Sequence, residues 1–333
     1  MVQGGEFDLI RRHFSRPVPA PFLGVGDDCA LLPVQEGHQL AVSTDMLLEG
    51  RHFLADSDPV DLGHKALAVN LSDLAAMGAR PLGCTLALGV AQVDDAWLEG
   101  FAHGFHALAD ASHCPLLGGD TTRSMQGVVL CVTVLGEVRP EHALRRDAGH
   151  PGDDIWVSGP LGAADIALRW LQGLLPDPEG RLAPLRTVLE RPQPRLALGQ
   201  GLSGLAHAAI DISDGLLQDL GHILAASGCA ARVQFDAIPV HPALQGLDPD
   251  LVQHAVLAGG DAYELCFTAP AGQRAQIEAL GRRLGMALAR IGALVRGTGC
   301  EVFDANGNPM VVQQAGFDHF ADTGNDRSPG TPP

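Results

Sequence analysis

Seven aspartates stand where a short carboxylate could meet a ligand. They are Asp27 and Asp28 in GVGDDCA, Asp45 in VSTD, Asp73 in NLSDLAAMGA, Asp120 in LLGGDTT, and Asp211 and Asp214 in AIDISDG. Each lies near Gly, Ser or Thr at an expected end of a strand or helix. Short carboxylates on tight turns suit a hard cation such as Mg²⁺, which takes oxygen ligands at about 2.0–2.1 Å and bridges to water and phosphate oxygens. Taken singly, each could instead cap a turn by accepting a backbone N–H. Taken together, they point to a cation site.

Asp73 carries the strongest physical signal. Leu62, Ala66, Val69, Asp73 and Ala76 recur at helical spacing, so Asp73 shares the inward stripe of its helix. A buried carboxylate costs several kcal/mol unless it is paired or binds metal. Lys65 and Arg80, close in sequence, are the alternative partners. Gly24-Val25-Gly26 and Gly118-Gly119 could bring backbone N–H groups to phosphate oxygens, although a glycine pair also reads as a plain turn. Arg145-Arg146 could clamp a polyphosphate through forked hydrogen bonds, or lie in solvent.

The elements that must hold these groups alternate. Strands are predicted at Leu40–Thr44, Cys84–Val90, Val128–Val138, Asp154–Ser158, Ala208–Ile212, Tyr263–Thr268 and Ala289–Val295. Helices are predicted at about Pro59–Met77, Asp94–Ser112 and Asp214–Gly228. At 333 residues the chain has room for about two domains, and the best boundary is His150-Pro151-Gly152. The expected architecture is α+β, with mixed or antiparallel sheets, in residues 1–150 and 151–320. Residues 171–195, rich in Pro and Arg, read as an exposed connection, and 321–333 as a disordered tail.

Composition removes several functions. A net charge of −17 repels nucleic acid and anionic lipid. No apolar run is long enough to span a membrane. Lys65, the only lysine, is followed by alanine, so there is no phosphate loop ending in Gly-Lys-Ser/Thr. The seven scattered cysteines form no C-x-x-C pair and read as buried reduced thiols. With charges interrupting the first apolar residues, they predict a cytoplasmic protein without a zinc site.

GEFDLI, GVGDDCALL, VSTDMLLEGRHF, DLGHKALAVNLSDLAAMGARP, LLGGDTTR, PGDDIWVSG, AIDISDGLLQDLGHI and GGDAYELCFT follow one another in order. This string resembles the thiamine-monophosphate kinases over about residues 4–320. The resemblance implies the two-domain fold of aminoimidazole ribonucleotide synthetase and its relatives, in which the N-terminal sheets of two subunits pair into a barrel. It implies transfer of the γ-phosphoryl group of ATP to thiamine phosphate, in line and without a strong general base. Several Mg²⁺ ions would offset the charge of two polyanions. By position, Asp28, Ser43, Thr44, Asp45, Asp73, Asp120, Asp211 and Asp214 resemble metal ligands. Gly119, Asp120, Arg146 and Ser213 resemble nucleotide contacts. His52, Asp261 and Phe317 resemble substrate contacts, with Phe317 offering an aromatic face to a thiazolium.

One departure stands out. The family pattern G-G-E-D-Y-E reads Gly259-Gly260-Asp261-Ala262-Tyr263-Glu264 here, so the substrate-side acid is one methylene shorter. The alternatives are another ATP-using enzyme of the superfamily, or a non-catalytic protein binding Mg²⁺ and ATP. Selenophosphate synthetase is disfavoured because no cysteine adjoins the single lysine.

Overall fold

Asp58-Pro59 starts the helix around which the first half is built. The Asp58 carboxylate accepts the Val60 N–H at 2.8 Å, Pro59 fits a position with no N–H to satisfy, and α1 (Pro59–Ala76) follows. The structure, a computed structural model, describes residues 9–25, 29–177, 179–312 and 316–317. Helix α1 is buried on almost every side, including the polar His64, Lys65, Asn70 and Ser72. Against it lies α2 (Asp95–Ala111). The two helices approach closely because Gly104 has no side chain; a Cβ there would lie 1.8 Å from the Val60 carbonyl oxygen.

Both helices belong with a four-stranded sheet of β1 (Gln39–Leu48), β2 (Arg80–Val90), β3 (Leu116–Arg123) and β4 (Val129–Val138). Its order is β1-β4-β2-β3, with β2 and β3 parallel and the other pairs antiparallel. Leu47 of β1 is in the core, whereas Leu40, Val42, Met46 and Leu48 are 37–57% exposed on the opposite face. The sheet is open, with β1 and β3 at its edges, so one chain makes no closed barrel among the described residues.

A six-stranded sheet forms the second half. Its strands are β5 (Asp153–Val157), β6 (Ala208–Asp211), β7 (Ala230–Gln234), β8 (Leu265–Pro270), β9 (Ala289–Val295) and β10 (Gly299–Phe303), in the order β10-β7-β9-β5-β8-β6. Only β10 and β7 run parallel. The helices are α3 (Ala163–Leu171), α4 (Leu185–Glu190), α5 (Leu196–Leu202), α6 (Leu216–Ser227), α7 (Pro249–Leu257) and α8 (Arg274–Leu284). The α+β class and mixed sheets expected from the sequence are what the chain adopts.

Four local expectations need correcting. LLGGDTTR is strand β3, not a turn, and its glycine is there for packing: a Cβ on Gly119 would lie 1.8 Å from the Leu86 carbonyl oxygen. Strands β7 and β10 were not anticipated. The strand expected from Tyr263 begins at Leu265, because Asp261 and Tyr263 have φ of +58° and +49°. The 171–195 segment is not simply exposed. Leu182, Leu185 and Leu189 are buried against α3, and Arg191 reaches Asp61 of α1 at 2.7 Å. Residues 321–333 lie outside the described residues.

Candidate active site

A cavity of about 420 Å³ opens where the two halves meet. Strand β1 brings Asp45 and the following loop His52. Helix α1 brings Lys65 and Asp73. The end of β6 and its turn into α6 bring Asp211, Ser213 and Asp214, and the loop between α7 and β8 brings Asp261 and Tyr263. Phe317 closes one side. Eight residues singled out from the sequence therefore line one space: Asp45, His52, Asp73, Asp211, Ser213, Asp214, Asp261 and Phe317.

At one end the carboxylates crowd. Burial pushes the Asp45 carboxyl up to about 6, and the charges of Asp73 and Asp214 push the same way. Burial, then Asp73, raises Asp211 to about 8, with the Ser72 hydroxyl acting in the opposite sense. Asp73 is also raised by burial, against the opposing effects of the Ser43 hydroxyl and the Arg146 charge. Oxygen-only groups that resist being charged together suit a divalent cation, whose charge reverses that preference. Among the described residues, no three Asp, Glu, His or Cys side chains form a ready-made cation cage. An ion here would need oxygen ligands beyond these side chains.

Neighbouring groups hold these carboxylates in place. Ser43 donates to Asp73 Oδ2 at 2.5 Å. Buried Asn70 accepts the Asp45 N–H at 2.9 Å while donating to the Ala66 carbonyl at 3.0 Å. Asp219 braces the Asp214 turn by accepting the N–H groups of Asp214 and Gly215, each at 3.1 Å, and its own carboxyl is raised by burial to about 7.

The opposite end is different in character. A contiguous side cavity of about 180 Å³ shares Arg51, His52, Lys65, Leu168, Asp261 and Phe317 with the main space, and continues between Phe53, Leu54, Leu62 and Leu189. His52 Nδ1 accepts the Leu48 N–H at 3.0 Å, which places the ring proton on Nε2. Arg51 lies over the Phe317 ring, 4.9 Å from its centroid, so one face of that ring already meets a cation.

Other expected residues fall outside this space. The Thr44 hydroxyl meets Thr133 at 2.8 Å on the sheet face opposite Ser43 and Asp45. Gly119 and exposed Asp120 lie on edge strand β3, away from the cavity lining. Arg146 lines no part of the cavity, though its charge acts on Asp73. Asp28, and Asp27 beside it, lie outside the described residues. Lys65 and Arg80, offered as partners for Asp73, pair elsewhere: Lys65 with Asp261 at 2.9 Å, and Arg80 with Glu137.

Sequence reasoning missed three contributors. Tyr263, the only tyrosine, projects from the second half to pack against the core of the first, and burial among carboxylates pushes its phenol well above its ordinary value. Asp165 and Arg169 pair along α3 at 2.7 Å and line the cavity. Rarity was the available signal: the single lysine and single tyrosine are both here.

Comparison with known proteins agrees with this architecture. Residues 26–138 match the AIR synthase related protein N-terminal domain, and residues 150–305 match the AIR synthase related protein C-terminal domain. Fold and site thus define a two-domain protein of the AIR synthase related class. The thiamine-monophosphate kinase of Escherichia coli (strain K12) is 43% identical over 322 residues, covering 95% of this chain and 98% of that protein. A crystal structure of thiamine-monophosphate kinase from Stenotrophomonas maltophilia K279a superposes with a TM-score of 0.80 at 49% identity, covering 86% of this chain and 92% of the other. AaThiL complexed with AMPPCP and TMP superposes at 0.75 with 27% identity, covering 87% and 90%. The chain belongs to the thiamine-monophosphate kinase family.

Proposed function

We propose that this protein transfers the γ-phosphoryl group of ATP to thiamine phosphate, giving thiamine diphosphate and ADP. One observation carries the reading: a single cavity has a carboxylate-rich end suited to cation-bound phosphates and a side cavity of mixed lining, where Phe53, Leu54, Leu62, Leu189 and Phe317 could flank a ring and Asp261 could meet its polar edge. The family relationship supports it, and so does the related structure with AMPPCP, an ATP analogue, and TMP.

Asp45, Asp73, Asp211 and Asp214 would hold Mg²⁺, with Ser43 and Asn70 keeping Asp73 and Asp45 in place. Ions held there would supply positive charge that offsets the charge of the phosphates. Asp28, Thr44 and Asp120 are further ligand candidates, Thr44 through its carbonyl because its hydroxyl is engaged by Thr133. Gly119, Arg146 and Ser213 would contact the nucleotide, Arg146 by forked hydrogen bonds to phosphate. The nucleophile is a phosphate oxygen, already anionic, so the chain's task is to orient donor and acceptor rather than to remove a proton. His52 would donate from Nε2 to the acceptor phosphate. Asp261 would accept from the amino group of the pyrimidine. Phe317 would offer the thiazolium the ring face that Arg51 covers, one cation taking the place of the other.

We also propose that residues 1–150 form an ATP- and metal-binding, dimerising domain, and that 151–320 form an α+β domain that adds Asp211, Ser213 and Asp214 to the same site. The uncovered apolar row of β1 supports a homodimer. Among the described residues no helix is long and apolar enough to cross a membrane, and all seven cysteines are free thiols, which supports a reducing cytoplasm. The test combines protein, ATP, Mg²⁺ and thiamine phosphate, and reads thiamine diphosphate as fluorescent thiochrome diphosphate. Product that needs all three additions is expected. ADP released without thiamine diphosphate would refute the acceptor assignment.

A further inference from the structure

The only lysine of the chain sits at the seam between the two ends of the cavity. Lys65 is 3% exposed, on the second turn of α1, and its Nζ lies 2.9 Å from Asp261 Oδ1. An ammonium withdrawn from water is costly unless a carboxylate faces it, so burial keeps this pair together. Its members come from different halves, Lys65 from α1 and Asp261 from the loop before β8. They differ in exposure, 4% for the lysine side chain and 30% for the aspartate, so the carboxylate is the member more open to a ligand. Both line the main and the side cavity.

The loop bearing Asp261 needs holding. Asp261 and Tyr263 are left-handed, at φ +58° and +49°, a conformation that residues with a Cβ keep only when their surroundings impose it. Backbone bonds do part of this: the Asp261 N–H donates to Ser213 and the Tyr263 N–H to Ile212, each at 2.8 Å. They do not fix the carboxylate. Asp45, Asp211, Asp214 and Asp261 all act on the Tyr263 phenol, so the four carboxylates share one region. Like charge there would drive an unpaired Asp261 side chain outward, away from the side cavity.

We propose that Lys65 is a positioning residue for the acceptor: it cancels the Asp261 charge, holds one carboxylate oxygen, and presents the other to an amino-substituted aromatic ring in the side cavity. This rests on the kinase reading above. The ammonium touches neither substrate. It acts through Asp261 alone, and should govern acceptor affinity rather than the nucleotide or the transfer step.

A mutant cycle tests this, with steady-state kinetics on Lys65→Met, Asp261→Asn and the double variant. Each single change is expected to raise KM for thiamine phosphate about tenfold, with KM for ATP within about twofold. The double variant should be no worse than Asp261→Asn, because removing the ammonium matters only through the carboxylate. If Lys65→Met does not fold, the neutral double variant still decides: its acceptor KM should equal that of Asp261→Asn. Multiplying effects, equal rises in both KM values, or a double variant with the wild-type acceptor KM would overturn the proposal. Wild-type protein making no thiamine diphosphate would overturn the kinase reading and this proposal with it. An active wild type with an unchanged Lys65→Met overturns only the role of Lys65.

Discussion

The Ser43 hydroxyl donates to Asp73 Oδ2 across 2.5 Å, tying strand β1 to helix α1 at the edge of the carboxylate cluster. Ser43 does not line the cavity, so its bond orients Asp73 instead of adding to the lining. Removing a group that orients a metal-binding side chain typically costs about 10–100-fold in metal affinity or activity. Ser43→Ala should therefore shift the Mg²⁺ activation curve to higher concentration by about tenfold or more, with kcat largely recovered at saturating Mg²⁺. Asp73→Asn should not recover. An unshifted Mg²⁺ curve in Ser43→Ala would refute the orienting role.

Buried like charge predicts opposed effects on stability and activity at Asp211. Its carboxyl is raised to about 8 by burial and by Asp73, so its charged form destabilises the metal-free fold. In EDTA above that pH, Asp211→Asn should melt higher than wild type while losing kinase activity. Mg²⁺ should then raise the wild-type Tm more than that of the variant. A lower metal-free Tm in the variant would mean that the Asp211 charge is compensated within the protein.

Some of this site could be read from the residues and some could not. Helix α1 was legible because its signals are local: Asp58-Pro59 opens it, and Gly78 and Pro81 prevent its continuation. Strand β3 was not, because the need for glycine at 119 comes from Leu86 on a neighbouring strand, and Gly-Gly looks like a turn. Asp73 was correctly placed on an inward stripe, yet its partner is Ser43 on β1 and not a nearby cation. The aspartates were legible one by one. Their meeting in one cavity, and the pairing of Lys65 with Asp261, depend on two halves docking, which no local pattern encodes.

The shorter acid at 261 should set acceptor affinity. Held by Lys65, the Asp261 carboxylate falls one methylene short of the glutamate usual in the family. Asp261→Glu should lower KM for thiamine phosphate by about threefold, about 0.7 kcal/mol, and leave KM for ATP alone. An unchanged acceptor KM would mean that residue 261 does not contact the acceptor.

Acid stability should depend on Glu137 at the end of β4. Burial alone would raise its carboxyl, but the Gln35 N–H, bound at 2.9 Å, and the Arg80 guanidinium outweigh it and hold the group below its ordinary 4.5. A carboxyl lowered in the folded state contributes stability that is present above the unfolded value and lost as pH falls through the folded one. Glu137→Gln should thus melt below wild type at neutral pH, and the difference should shrink on acidification below 4.5. A difference in Tm that is constant with pH would assign the loss to packing instead.

The row formed by Leu40, Val42, Met46 and Leu48 should be a subunit interface. These side chains point from edge strand β1, away from the helices, and Val42 and Met46 are 57% and 56% exposed. An apolar row on an open sheet edge invites a second copy of the same surface. Met46 also borders the cavity, but Leu40 and Val42 do not, so substituting these two tests association separately from the site. Wild-type protein should elute at twice the chain mass by light scattering, and Val42→Asp or Leu40→Asp should shift it to the monomer with the fold retained by circular dichroism. Because β1 also carries Ser43 and Asp45, the monomer should lose activity in proportion to the dimer lost, and raising the protein concentration should restore both together. A dimer that persists in both variants would place the interface elsewhere.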